Sequence, residues 1–302
     1  MNTSDQNYMK FRNLRLKEVI GNGQSGIVYL VNDPRYKRDF ALKSVPLTKF
    51  HPSEAEYMMN IDDPNVIRLY KFEPFESSAY LLEEYCPNSL DSPLKKQGSF
   101  EHDILLHYAA GILKGIRALH QLRIAHLDIK PANFLIDSFS RVRVCDFGIS
   151  NQFEPEELCT RFGGSVPFMS PEILQLQPFD PFKADIWAIG VTLFIIATGV
   201  LPWEGQTQHV ICHNLLTKDP NYSLIENQEF AKVIRMCLSH NPEERPSVEE
   251  LLNQPIFKHI NSSATRKITQ HPSLNLAGRK LFLHSTILVR PSLKRAMLSE
   301  SI

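Results

Sequence analysis

The stretch from His126 to Gly148 reads HLDIKPANFLIDSFSRVRVCDFG. A polar loop, His126 to Asn133, leads into the short apolar run Phe134-Leu135-Ile136. A turn-like Asp137-Ser138-Phe139-Ser140 follows, then Val142-Arg143-Val144-Cys145, and the stretch closes on Asp146-Phe147-Gly148. Two short strands between two polar loops bring Asp128, Lys130, Asn133 and Asp146 to one edge. Phosphoryl transfer uses these residue types: a carboxylate to orient a hydroxyl, a cation for the moving phosphate, and an amide and a second carboxylate for a metal.

This stretch resembles the catalytic and metal-binding loops of protein kinases, with one departure. The usual His-Arg-Asp is His126-Leu127-Asp128 here. The resemblance implies a two-lobed α+β fold, with a small β-rich lobe carrying one helix and a larger, mainly helical lobe. It implies ATP and Mg²⁺ as cofactors and a protein Ser/Thr acceptor as partner. It makes Asp128 the base that takes or orients the acceptor proton, Lys130 a γ-phosphate contact, and Asn133 and Asp146 the Mg²⁺ ligands. His126 and Phe147 take structural places, stacking with Met58 and Leu69 between the lobes.

Working toward the N-terminus, Gly21-Asn22-Gly23-Gln24-Ser25-Gly26 sits between two strand-like segments. Alone it is a weak signal, but Ile27-Val28-Tyr29-Leu30-Val31 after it predicts a hairpin and not the helix of a dinucleotide fold. Glycines let backbone N–H groups approach a phosphate closely. The motif is similar to the kinase glycine-rich loop, with Ser25 where an aromatic often stands. The resemblance places nucleotide against Ile20, Gly21, Gly23, Gly26, Val28, Ala41, Lys43, Glu84, Cys86 and Leu135.

Lys43 closes the strand Phe40-Ala41-Leu42-Lys43 and corresponds to the lysine of the α/β-phosphates. Glu54 and Glu56 compete to be its partner. Pro52 can open a helix, on which Glu54, Tyr57, Met58 and Ile61 share an apolar face while Glu56 shares a polar one. The expected pair is Lys43–Glu54, on a short helix. Glu83 stands before the hinge Glu84-Tyr85-Cys86, where an apolar residue is usual. A buried carboxylate there needs a partner or an upward pKa shift; otherwise the register slips by one and Leu82 fills the place. The sequence leaves both open.

Toward the C-terminus, Glu101 to Leu122 predicts a long helix with Ile104, Leu105, Tyr108, Ile112, Ile116 and Leu119 on its core face. Ser170-Pro171-Glu172 resembles the kinase Ala-Pro-Glu, and Arg245 its late arginine partner. Asp185 opens a nearly all-apolar helix to Thr198, expected to be buried. The resemblance runs from about Phe11 to Ile260 and divides the chain into a polar tail (1–10), a small lobe (11–85), a large lobe (86–260) and a basic tail (261–302). The basic tail has seven basic residues against one acidic, a net +6. It reads as disordered; contact with the kinase domain itself or with an acidic surface is the lesser alternative.

The whole chain has 33 basic and 33 acidic residues, which argues against a nucleic-acid partner. No uninterrupted apolar run reaches about 18 residues, so no transmembrane segment is expected. Five scattered cysteines without a Cys-x-x-Cys pair fit a reducing compartment, the cytoplasm or the nucleus. Lys130 and Ser165 point to Ser/Thr acceptors, and Cys145 to Asn151 with Ile189 to Leu193 look most like the calmodulin-kinase group and its upstream kinases. A pseudokinase scaffold would lack one of Lys43, Asp128, Asn133 or Asp146, and all are present. A small-molecule kinase would lack Ser170-Pro171-Glu172 and Arg245, and both are present.

Overall fold

The computed structural model describes residues 2–23 and 26–258. In chain order the elements are α1 (Thr3–Arg12), β1 (Arg15–Gly23), β2 (Gly26–Asp33), β3 (Arg38–Pro46), α2 (Pro52–Asn60), β4 (Leu69–Phe75) and β5 (Ser78–Glu84). Then come β6 (Asn88–Ser89), α3 (Asp91–Gln97), α4 (His102–Gln121), β7 (Ile124–Ala125), β8 (Phe134–Ile136), β9 (Val142–Val144) and β10 (Asn151–Gln152). The last five are α5 (Pro171–Leu174), α6 (Pro181–Thr198), α7 (Gln208–Thr217), α8 (Gln228–Cys237) and α9 (Val248–Leu252).

The small lobe is one antiparallel sheet in the order β1-β2-β3-β5-β4. Side chains alternate across a strand, and here both faces are used. Tyr29, Val31, Phe40, Leu42 and Tyr80 form one cluster with Tyr8, Met9 and Leu14. Leu81 and Val45 join the main core on the opposite face, where Ala41 pairs with Glu83 and Lys43 with Leu81.

The first ten residues correct the expectation of a polar tail. Thr3–Arg12 is a helix, capped by the Asn2 side chain at its start and by left-handed Asn13 at its end. Its buried face, Ser4, Asp5, Tyr8 and Met9, is half polar. The apolar periodicity that marks a helix is therefore weak, and the polar members are satisfied by hydroxyls of the sheet. The basic tail and the Gln24-Ser25 loop tip lie outside the described residues.

The large lobe is built on α4 and α6. Leu105, Tyr108, Ile112, Ile116 and Leu119 of α4 are buried, and Ile104 is half-buried. No uninterrupted run marks α6 as membrane-spanning, yet its 18 residues have a mean hydropathy of 1.4, enough to cross a bilayer by length and composition; 72% of it is buried inside the lobe. Asp180 caps its N-terminus by accepting from the N–H groups of Phe182 and Lys183, and Gly199 closes it in the left-handed region. The β8–β9 hairpin, with Phe134 opposite Val144, carries the polar loops at its ends.

Candidate active site

Lys43 lies on the cleft face of β3, directly across from Val28 of β2. Its Nζ donates to Glu54 Oε1 at 2.6 Å and to Asp146 Oδ1 at 2.8 Å. The α2 helix is short, as its sequence implied. It buries Glu54 and leaves Glu56 exposed, so Glu54 is the partner. Burial alone would lower the Lys43 ammonium, but the Asp146 and Glu54 charges outweigh it and hold the group well above its ordinary value. Burial likewise pushes the Asp146 carboxyl up; Lys43 outweighs this and brings it down to about 2. Asp146 sits at φ 64°, in the left-handed region that aspartate enters more readily than most residues.

The catalytic loop is tied down from several sides. Asp128 Oδ2 accepts from Lys130 Nζ at 2.7 Å and from Asn133 Nδ2 at 3.2 Å, and Oδ1 accepts from Ser165 Oγ at 2.9 Å. Lys130 also donates to Ser165 Oγ at 2.9 Å. A backbone N–H can only donate, so the Asp128 N–H contact at 3.2 Å makes His126 Nδ1 an acceptor; Nε2 then carries the proton and donates to the Cys145 carbonyl at 3.0 Å. The ring thus bridges both loops and packs 5.6 Å from Phe147. Phe147, Met58 and Leu69 are buried in the same core.

The glycine loop meets β3 closely. Gly23 pairs with Gly26 and Gly21 with Val28. Gly26 has φ 121°, and a Cβ there would lie 2.2 Å from the Ser44 carbonyl oxygen, so only glycine fits. Ile20 is exposed on β1, Ala41 is buried on β3, and Leu135 is half-buried on β8 against the main core.

At the hinge the register resolves the open question. Glu83 pairs with Ala41 and lies on the cleft side, while Leu82 packs with the cluster on the other face. Glu83 is buried, which pushes its carboxyl up to about 8; Lys43 works against the shift, and Glu54 and Asp146 add to it. Glu84, the next residue, accepts from Arg143 Nη2 at 3.3 Å. Burial raises the Cys86 thiol to about 12.

Below the loop, Arg245 makes a two-pronged pair with Glu172, at 2.6 and 2.9 Å. The Arg245 side chain is fully buried and lies 5.0 Å over the Trp187 ring.

The protein kinase domain family model matches residues 14–257. The chain belongs to this family. Among its relatives, mouse sperm motility kinase 2A is 29% identical over 242 residues, covering 78% of this chain and 48% of that protein. The probable serine/threonine-protein kinases MARK-C and MARK-A of Dictyostelium discoideum are 29% and 28% identical, each over 79% of this chain but only 32% and 23% of their own lengths. The chain thus spans about half or less of these relatives.

Two parts of the kinase site were not assigned from the sequence. Asp185 of α6 accepts the N–H groups of His126 and Leu127, each at 2.8 Å, together with His120 Nε2 at 2.9 Å. A lone acid in an apolar helix was the available signal. Tyr57 of α2 accepts the N–H of Gln152 in β10 at 3.0 Å. Its ring sits among apolar neighbours, and nothing local marks its hydroxyl for a distant strand.

Proposed function

We propose that this kinase domain is catalytically active and transfers the γ-phosphate of ATP to Ser or Thr of a protein. The observation that carries this reading is the double engagement of Lys43 by Glu54 and Asp146. It joins β3, α2 and the Asp146-Phe147-Gly148 loop into one polar unit, and an active kinase requires that lysine pair and that aspartate in place together.

The contacts support a role for each residue. Lys43 would hold nucleotide phosphates, with Glu54 fixing the ammonium. Asp128 would accept a hydrogen bond from the acceptor hydroxyl and take up its proton. Its carboxylate is already oriented by Lys130, Asn133 and Ser165, so little reorganisation remains for the reaction. Lys130, shared between Asp128 and Ser165, is placed to meet negative charge arriving beside the base.

The donor set fits magnesium. Asp146 is ionised, and Asn133 spends its Nδ2 on Asp128, which leaves its carbonyl oxygen for a cation. No cluster of three or more His, Cys, Asp or Glu that would hold a metal occurs among the described residues. Magnesium usually takes one or two protein oxygens and completes its shell with phosphate oxygens and water. When bound there, it would neutralise phosphate charge.

The Ser/Thr preference rests on Lys130 and Ser165 and on the printed names of the Dictyostelium relatives. The test is incorporation of label from ATP with Mg²⁺ into a mixed peptide library, with Asp128→Asn alongside. Wild type should yield phosphoserine and phosphothreonine, and the variant should lose about 10²–10⁴-fold. No incorporation by a folded wild type would mark a scaffold, and mainly phosphotyrosine would overturn the acceptor class.

A further inference from the structure

The α1 helix places a carboxylate at a site fully closed to solvent. Asp5 is 0% exposed. Its oxygens accept from Tyr29 Oη at 2.6 Å, Ser44 Oγ at 2.6 Å and Tyr80 Oη at 2.9 Å. These donors belong to β2, β3 and β5, three neighbouring strands. Tyr80 gives its single proton to Asp5, so the Ser4 hydroxyl, 3.1 Å away, must be the donor to Tyr80. Burial and the Asp5 charge raise the Tyr29 and Tyr80 hydroxyls, which therefore stay protonated and donate. A buried carboxylate is tolerated only when so satisfied.

Strand alternation gives this cluster a lever on the cleft. Ser44 follows Lys43 and points to α1, so Lys43 points to the opposite face. The Ser44 carbonyl also abuts Gly26, the exit of the glycine loop. One residue thus touches α1 through its side chain and the glycine loop through its backbone, and it is bonded to the lysine of the site.

We propose that Asp5 is a positioning residue for the nucleotide site: through Ser44 it holds β3 so that Lys43 and the glycine loop keep their relative placement. The inference rests on the reading of Lys43 as the phosphate-binding lysine. It makes α1 part of the catalytic domain's working structure.

The other contacts of α1 allow the link to be cut alone. Tyr8 stacks on Tyr80 with centroids 3.8 Å apart and rings 3° from parallel, and its hydroxyl donates to Glu73 at 2.9 Å. Arg12 also pairs with Glu73. Ser44→Ala therefore removes one bond to Asp5 while the helix stays docked. Tyr29→Phe is the matched control, since it removes a bond to the same carboxylate made from β2 and leaves the Ser44 bond of β3 in place.

The experiment uses the full chain and has two readouts. The first is the rate at which an amine-reactive ester labels Lys43 without nucleotide, followed by mass spectrometry; it needs no activity. The second is KM for ATP and kcat. Ser44→Ala should label faster at Lys43 and raise KM about three- to tenfold with kcat within about twofold, the scale of one lost hydrogen bond. Tyr29→Phe should lower the melting temperature and leave both readouts near wild type. Asp5→Asn should follow Ser44→Ala in both. Wild-type labelling and KM in a folded Ser44→Ala chain would overturn the proposal. An equal KM rise in Tyr29→Phe would overturn it too, because the effect would then be general loosening. An inactive wild type would refute the kinase reading, and the labelling comparison would still decide the role of Asp5.

Discussion

Tyr57 on α2 accepts the Gln152 N–H at 3.0 Å and donates to Asn151 Oδ1 at 3.4 Å. It lies three residues from Glu54, so one turn of helix holds both the lysine partner and the start of the segment leading to Glu172. Tyr57→Phe keeps the ring and removes the hydroxyl. We predict a fall in kcat of about five- to tenfold with the fold intact, the scale of one lost hydrogen bond. Steady-state kinetics beside a melting curve check it, and an unchanged kcat would leave Tyr57 as packing alone.

Glu54 and Glu56 should separate cleanly. Glu54 is 3% exposed and paired with Lys43, whereas Glu56 is exposed. Glu54→Gln should reduce turnover about a hundredfold, as misplacement of a positioning group does. Glu56→Gln should stay within about twofold of wild type. Reversal of the two results would show that the chain uses a different α2 register when nucleotide binds.

Thr160 is exposed in the segment between Gly148 and Glu172, and its phosphorylation should not be required. Phosphate in such a segment needs cationic receptors. The residue before Asp128 is the uncharged Leu127, and Arg123 is committed: it donates to the Phe153 and Glu154 carbonyls and lies 4.5 Å over the Phe182 ring, which leaves the exposed Arg161 beside Thr160 to meet a phosphate there. The segment is fastened instead by Cys159 pairing with Phe179, by β10 on β7, and by burial of Phe168 and Met169. Thr160→Ala should keep activity within about threefold, while a loss beyond about a hundredfold, roughly 2.7 kcal/mol of barrier, would contradict this account.

Glu83 gives a stability prediction with a definite sign. Its carboxyl is raised in the fold from 4.5 to about 8. Between those values the folded chain keeps a proton that the unfolded chain releases. The contribution to stability is therefore greatest at low pH, falls as pH rises through this window, and levels off above about 8. Glu83→Gln cannot ionise. Its melting temperature should exceed wild type at pH 8, and the two curves should converge toward pH 5. Parallel curves would show that Glu83 is already ionised in the fold.

The grouping around Asp128 was legible because its residues are close in sequence. Asp128, Lys130 and Asn133 lie within one loop, and Asp146 closes the hairpin after it. Glu54 could be chosen over Glu56 because helical periodicity separates their faces. Glu83 could not be settled from sequence, since its placement depends on strand register, which only the pairing of Ala41 with Glu83 fixes. The α1 helix escaped for a different reason. Its buried face contains Ser4 and Asp5, whose satisfaction comes from Tyr29, Ser44 and Tyr80, up to 76 positions away. No local pattern encodes such partners.

The greasy helix α6 also sets a condition on how this chain is made. Its cover arrives late: Gly190 lies so near α8 that a Cβ there would be 2.7 Å from that of Cys237. A ribosome adding roughly 5–20 residues per second leaves about two to eight seconds between finishing α6 and finishing α8. During that interval a segment composed like a bilayer span lacks the helix that later covers it. A message that stopped between Thr198 and Cys237 would release a chain whose α6 lacks α8, and that uncovered apolar face is the surface a holding chaperone or a quality-control protease would bind.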